Sequence, residues 1–302
     1  SRDQDIAGSR YAPEAAESEG YHHYKRDYNQ EDKAHCRACH GGEPHEKANA
    51  SRLNQHAVRI ACQSCHIPEI ARGGIATRMS WDWSTAGQLD EQGQPLEKIV
   101  NGNLVYHGKK GSFSYAENIE PEYRWFNGSV SYQLLNVKII LDEQGYVPIN
   151  RFGGSANDGI SRIWPVKVFR GIQPYDPVLK TLLVPHTTGH DESSYWENFD
   201  WEKAVFAGMS SAGLPFSGKV EFINTTMVWP INHMVAPAND AVSCEECHRQ
   251  SGRMRSIEGV YIPGRNEFPW LDTIGWLIAL FTLLGVLGHG VGRIAMRRGR
   301  DT

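Results

Sequence analysis

The pentapeptides Cys36–His40 (CRACH), Cys62–His66 (CQSCH) and Cys244–His248 (CEECH) use all six cysteines of the chain and leave none over. Disulfides, redox dithiols and zinc knuckles each account for Cys-x-x-Cys, but none of them accounts for the histidine that always follows. Structural zinc pairs its knuckles, and three is an odd number. A thioredoxin-like dithiol has no need of a histidine directly after its second cysteine. Cys-x-x-Cys-His is instead the attachment pattern of a c-type haem: two thioethers fix one porphyrin edge, and the adjacent imidazole turns under the iron. The reading is three covalently bound haem c groups, tethered by Cys36 and Cys39, Cys62 and Cys65, and Cys244 and Cys247. His40, His66 and His248 are the proximal iron ligands. Bound calcium is left open.

A haem iron has a second axial position, and its occupant separates electron transfer from catalysis. Ten histidines remain, nine of them before the apolar C-terminal stretch, about three times what three haems need. His45 (CHGGEPH), His56 (NQHAVRIAC) and His233 (WPINHMVAP) lie nearest the motifs and are the candidate distal ligands. His186, His190, His22 and His23 rank below them, with Met234 and Met254 as alternatives that would raise the potential. The surplus points to haems carried by another chain or by a further segment of this one.

A net charge of −4 with both signs scattered offers no basic stripe, which excludes a nucleic-acid partner. The first 34 residues are polar and lack the basic and apolar regions of an export signal. The other end differs. Ile274 to Arg293 is a run of 20 residues whose only ionisable members are His289 and Arg293. At 1.5 Å per residue it covers about 30 Å, the thickness of the hydrocarbon layer. Trp270 and Trp276 suit an interfacial belt, and Arg293, Arg297, Arg298 and Arg300 follow the run, so the positive-inside rule places the tail in the cytoplasm. The expected organisation is a polar segment over 1–34, a haem domain over 35–265, a transmembrane helix over 270–294 and a basic tail over 295–302. The haem domain would then face the periplasm from the inner membrane. His289 lies inside the span and is a candidate for haem ligation or helix packing, with Gly288, Gly290 and Gly292 allowing close approach.

Residues 67–243 carry no attachment motif but many tryptophans, prolines and glycines. VSYQLLNVKIILDEQGYVPI, with a turn signal over Asp142 to Gly145, reads as a β-hairpin. A helix of about ten residues is expected from Trp201, ending at a glycine. Elsewhere prolines and glycines interrupt any long period. The expected fold is therefore a multihaem cytochrome, mainly α and irregular chain wrapped round stacked haems, with minor β-hairpins and one C-terminal transmembrane helix.

Several long strings resemble the octahaem c-type cytochromes of the tetrathionate reductase type: ACQSCHIPEIARGG (61–74), WDWSTAG (81–87), PEYRWFNG (121–128), IWPVKVFRGIQPYDPVLKTLLVP (163–185), FDWEKAVFAGM (199–209), and WPINHMVAP with SCEECH (229–248). The resemblance covers the C-terminal half of that family, which supplies the last three of eight haems. It implies relay haems, because the family's catalytic haem, with its proximal lysine, belongs to the other half and no residue here matches that lysine.

The expected function is relay of electrons between a membrane donor, such as a quinol-oxidising partner, and a redox partner on the outer face. Expected partners are other cytochrome or redox subunits, including a chain carrying further haems. The rival is a subunit of an octahaem reductase acting on tetrathionate, nitrite or hydroxylamine, with Lys109, Lys110, Arg124, Lys167, Arg170 and Lys180 available to attract an anion.

Overall fold

A computed structural model describes residues 36–46 and 50–298. The polar segment 1–34 with His22 and His23, as well as His35 and the end of the tail from residue 299, lie outside the described residues. The chain divides into two compact units, one running up to Cys244 and including Ser256–Val260, the other comprising Glu245–Arg255 and the chain from Tyr261 onward.

In chain order the first unit holds helices α1 (Cys36–His40), α2 (Ala50–Arg59) and α3 (Cys62–His66), then strands β1 (Thr77–Asp82), β2 (Glu97–Val100), β3 (Asn103–His107), β4 (Gly111–Ala116), β5 (Glu122–Phe126) and β6 (Val130–Tyr132). Strands β7 (Val147–Pro148), β8 (Asn150–Phe152), β9 (Arg162–Asp176) and β10 (Thr181–Leu182) follow, then helices α4 (Tyr195–Asn198) and α5 (Trp201–Ser211) and strand β11 (Glu221–Pro230). Helix α6 (Cys244–Cys247) begins at the unit boundary, and α7 (Pro269–Arg298) belongs to the second unit.

The expectation of a mainly α and irregular chain is corrected: the first unit is built on a nine-stranded mixed sheet. Its path runs β2-β3-β4-β1-β9-β11-β7, with β5 and β10 also paired to β9. The spine is β9, 15 residues long, antiparallel to β11 from Val166 to Tyr175 and parallel to β1 over Arg170–Ile172. Its sequence, RIWPVKVFRGIQPYD, hides the strand because two prolines and a glycine read as breakers. Pro174 turns its carbonyl to the Leu183 N–H, away from β11, so its missing N–H takes nothing from the β9–β11 ladder. Pro165 sits just past the last β11 pair, and its carbonyl accepts from Ile231. At Gly171 any Cβ would stand 2.6 Å from Thr225 Oγ1 on β11, so the glycine marks close approach rather than a break. Ile163, Trp164, Pro165 and Val166 are all buried, the continuous pattern of a strand covered on both faces, which carries no period of two.

The turn expected at Asp142 forms: its Oδ1 accepts from the N–H groups of Gln144 and Tyr146. Its arms are joined beside the turn, where the Asp142 N–H donates to the Tyr146 carbonyl at 2.8 Å, and farther out, where the Gln133 N–H donates to the Ile149 carbonyl at 2.9 Å. β6 pairs with β8 in a separate two-stranded sheet, while β7 runs parallel to β11. Helix α5 spans Trp201–Ser211 as expected, capped by Asp200, which accepts from the Lys203 N–H, and followed by Gly213 in the left-handed region.

Helix α7 is 30 residues long, and the stretch Pro269–Met296 is long and apolar enough to cross a membrane, with none of its central window buried. At 1.5 Å per residue that stretch measures about 42 Å.

Candidate functional site

The second motif is fastened to the centre of the sheet. The Ala61 N–H donates to the Ile163 carbonyl at 3.0 Å, and the Ser64 hydroxyl donates to the same oxygen at 2.7 Å. Gln63 and Ser64, the two residues between the cysteines, are buried, whereas Cys62, Cys65 and His66 remain partly accessible. The far end of α3 is tied by a second segment: the Cys65 carbonyl accepts from Val242 N–H at 2.8 Å and the His66 carbonyl from Ala236 N–H at 2.7 Å. Just beyond it Ile67, Ile70 and Ala71 pack with Ile231 in a small apolar cluster.

The first motif stands beside the second. The Cys36 thiol is hydrogen-bonded to that of Cys62, and this bond holds the Cys62 thiol down at about 6, assisted by Arg162 and Arg37 against the opposing effect of burial. Although 26 residues separate them in sequence, the leading cysteines of both motifs meet. Helix α1 is also linked to α2, with the Arg37 guanidinium donating to the Ala57 carbonyl at 3.4 Å.

Helix α2 supplies the residue that sets His45. Asn54 Oδ1 lies 2.9 Å from His45 Nδ1. An amide oxygen only accepts, so the proton sits on Nδ1 and the Nε2 lone pair is free for a metal. The His45 ring lies 6.4 Å from the His66 ring, centre to centre, with the planes 13° from parallel. The near-parallel rings stand at the long end of the range for ring pairs. Two imidazoles bound to opposite faces of one metal, each through a bond of about 2 Å, have ring centres roughly 6 Å apart. Burial, then the neighbouring His45 and His40, push the His66 imidazole below its ordinary value, towards the neutral form that ligates metals. Sequence nearness associates His45 with the first motif; the fold sets it against the proximal histidine of the second.

In the second unit His248 follows the same rule. Its Nδ1 lies 3.1 Å from the Pro263 carbonyl, which can only accept, so that nitrogen carries a proton. Neither Asn54 nor Pro263 is marked by any motif, and nothing in the sequence singles them out.

The other histidines differ. His56 is exposed on α2, and His233 is exposed on the loop whose Ala236 and Val242 bond to the second motif. His107 has both nitrogens engaged, Nε2 with Glu97 at 3.3 Å and Nδ1 accepting from the Lys109 N–H at 3.1 Å. His186 Nε2 pairs with Asp191 at 3.0 Å, and His190 is exposed. Met254 is buried and Met234 is exposed.

The six candidate anion-attracting cations do not converge. Arg124 and Arg170 share Glu122 at 2.8 and 3.5 Å. Lys109 and Lys110 stand over the Trp196 ring, Lys167 donates to Thr77 Oγ1 at 2.7 Å, and Lys180 is exposed at a turn. A cavity of about 660 Å³ on the sheet includes Arg124, Arg151, Arg170 and Glu122 in its wall, but no residue of a Cys-x-x-Cys-His motif. Among the described residues no group of three or more His, Cys, Asp or Glu side chains is placed to hold a bare metal ion such as calcium.

These residues fit haem c on observations of the fold itself. The first two motifs each set two thiols and an imidazole on one short helical turn and the third sets its two thiols on another, no cysteine is in a disulfide, and the His66 imidazole has that of His45 at a 6.4 Å centre-to-centre distance.

No curated protein matches the chain in sequence. The crystal structure of an octaheme cytochrome c from Shewanella oneidensis is similar to it, with a TM-score of 0.65 and 33% sequence identity, covering 78% of this chain and 53% of that one. The chain therefore spans about half the length of that protein. The family model for bacterial cytochrome c matches residues 78–251, from β1 through the third motif and more than half of the chain. With its attachment helices and that match, the chain belongs to the bacterial cytochrome c family and is a multihaem c-type cytochrome with an electron-transfer or oxidoreductase role.

Proposed function

We propose that this chain is a membrane-anchored relay that passes electrons through three covalently attached haems between a membrane donor and a redox partner on the outer face. The observation that carries the reading is the 6.4 Å pairing of His45 with His66. Bound haem supplies one-electron storage at its iron. His66 and His45 are the two imidazoles that would hold that iron, which would leave no open position there for a substrate. Cys36 and Cys62 lie side by side in the fold, so that the two attachment edges would be neighbours and the path between their centres short. The sheet, through Ile163, keeps the second motif from moving. His40 and His248 serve as the other proximal ligands, and His56 and His233 stay candidates for their distal positions. Helix α7 is the anchor, with the haem units periplasmic and the arginine-bearing end cytoplasmic.

The second reading is that the chain forms the C-terminal half or a subunit of an octahaem reductase of the tetrathionate type. Its support is coverage of 53% of an octahaem relative, which leaves about half of that fold to a companion polypeptide carrying the remaining haems. The exposed apolar side chains of Tyr132, Leu134, Leu135, Val137, Ile140 and Leu141 suit such contact. Low-temperature electron paramagnetic resonance of the purified membrane protein decides between the two. Three low-spin centres that ignore cyanide support the relay; a high-spin centre that binds cyanide supports the reductase and overturns it.

A further inference from the structure

Residues 261–268 join the segment after the third motif to helix α7, and they close into a loop. At its tip the Pro263 carbonyl accepts from His248 Nδ1 at 3.1 Å. Gly264, at a φ of 82°, packs on the same residue: a Cβ there would stand 2.8 Å from the His248 carbonyl carbon. The interior is held by Asn266, whose Oδ1 accepts from the Ile262 N–H at 2.8 Å and from Arg265 Nε at 3.1 Å, while Arg265 Nη1 donates to the Met254 carbonyl at 3.0 Å. At its neck the Tyr261 and Phe268 rings lie 5.9 Å apart and 15° from parallel. From Gly264 to Pro269, the first residue of α7, is five residues, at most about 18 Å of fully extended chain. The bonds from the Asn266 N–H to Ile262 and from the Leu271 N–H to Phe268 turn that stretch and shorten it further. His248 is thus held near the end of a helix whose apolar stretch, about 42 Å long, exceeds the hydrocarbon layer of about 30 Å and reaches into both interfacial layers. Beside that end Tyr261, Phe268 and Trp270 are 58%, 45% and 61% accessible. Such rings, with an apolar body and in Tyr and Trp a polar tip, belong at the boundary between head groups and acyl chains.

We propose that residues 261–270 lie in the lipid head-group layer of the outer face, with the Tyr261, Phe268 and Trp270 rings at the acyl boundary, and that the third attachment motif is thereby the one that meets the membrane donor. The proposal rests on α7 being the anchor and on haem c being attached at Cys244 and Cys247. The donor is of the quinol-oxidising class. It passes one electron at a time to the ferric iron held by His248; two such transfers oxidise one quinol to quinone, and the two protons leave from the donor. The loop acts by position: it neither binds the quinol nor carries a proton.

Two measurements on the full-length holo-protein test it, once haem content and low-spin spectra show attachment to be intact. The first places the protein in vesicles of phosphatidylethanolamine and phosphatidylglycerol that include a phosphatidylethanolamine with a photoactivatable diazirine on its head group. Lipid adducts, located by mass spectrometry, are expected on residues 261–270. Adducts confined to α7 beyond Trp276 overturn the placement, and so does a loop that cross-links to polypeptide instead of lipid in native membranes. The second inserts a flexible Gly/Ser linker of about 16 residues between Phe268 and Pro269, which lengthens the five-residue tether about fourfold. Encounter falls as about the −3/2 power of tether length, so reduction by quinol in membranes is expected to slow about tenfold, while reduction by dithionite is unchanged. Quinol reduction at the wild-type rate overturns the donor contact. Should the inserted variant fail to assemble, the wild type decides: its oxidised haem iron must shorten the relaxation of a nitroxide carried on the lipid head group, and an unaffected label overturns the assignment. Wild-type haems that stay oxidised with quinol sink the relay reading and the donor contact with it, while the lipid adducts judge the placement on their own.

Discussion

Asn54 holds His45 by three hydrogen bonds: its Oδ1 accepts from the ring at 2.9 Å and from the His45 N–H at 3.2 Å, and its Nδ2 donates to the His45 carbonyl at 3.2 Å. One amide thereby fixes the tautomer, the ring direction and the local backbone. Groups that orient a metal ligand in this way are worth about 10–100-fold in affinity. Asn54→Ala is expected to loosen His45 by that order, so that imidazole or cyanide enters one centre that excludes them in the wild type. Ligand titration followed in the visible spectrum measures it.

Removing the ring itself has a sharper outcome. His45→Ala is expected to convert one low-spin centre to high spin and leave the others unchanged, as read by electron paramagnetic resonance. His107→Ala is the control, since both nitrogens of His107 are already engaged by Glu97 and Lys109, and its spectrum is expected to match the wild type.

Asp158 organises the loop before β9. Burial raises its carboxyl, but the Ser161 hydroxyl and the N–H groups of Ser161, Ser155 and Ile160 together hold it down at about 2. A depressed carboxylate means that the unfolded chain binds the proton more readily, so folding gains stability with rising pH. The contribution is complete above the ordinary carboxylate value of about 3.9 and is lost as pH falls through about 2. Urea unfolding across pH is expected to show Asp158→Ala less stable than the wild type at neutral pH, with the two curves converging in acid.

Helix α5 packs its Gly208 directly on chain: a Cβ there would stand 2.0 Å from the Val184 carbonyl oxygen and 2.8 Å from the His186 N. Both are backbone atoms and neither can turn aside. Gly208→Ala is expected to destabilise by about 1–3 kcal/mol through overpacking. Thermal unfolding of the holo-protein measures the loss.

If α7 is the anchor, ending the chain after Phe268 moves the protein from the membrane fraction to the soluble one. Its haem spectrum is expected to be unchanged, since the attachment motifs all precede that point. Fractionation with haem staining checks both.

The attachment chemistry was legible before any fold, because a thioether pair and its adjacent imidazole are local: five residues contain everything the covalent bonds need. The apolar run in α7 and the Asp200-capped α5 were legible for a related reason, since length, period and capping act within a few turns. The nine-stranded sheet was not. β9 is buried on both faces over Ile163–Val166, where it has no alternation, and its prolines sit where the ladder does not need their N–H, which only the positions of β11 and Leu183 reveal.

The pairing of His45 with His66 shows the same division at the site. Chemistry written in neighbouring residues declares which atoms can hold a porphyrin. Which imidazole reaches across to a given iron depends on where α2 places Asn54 and where Ile163 pins α3, and such distances arise from packing between segments far apart in sequence, to which no short stretch of residues has access.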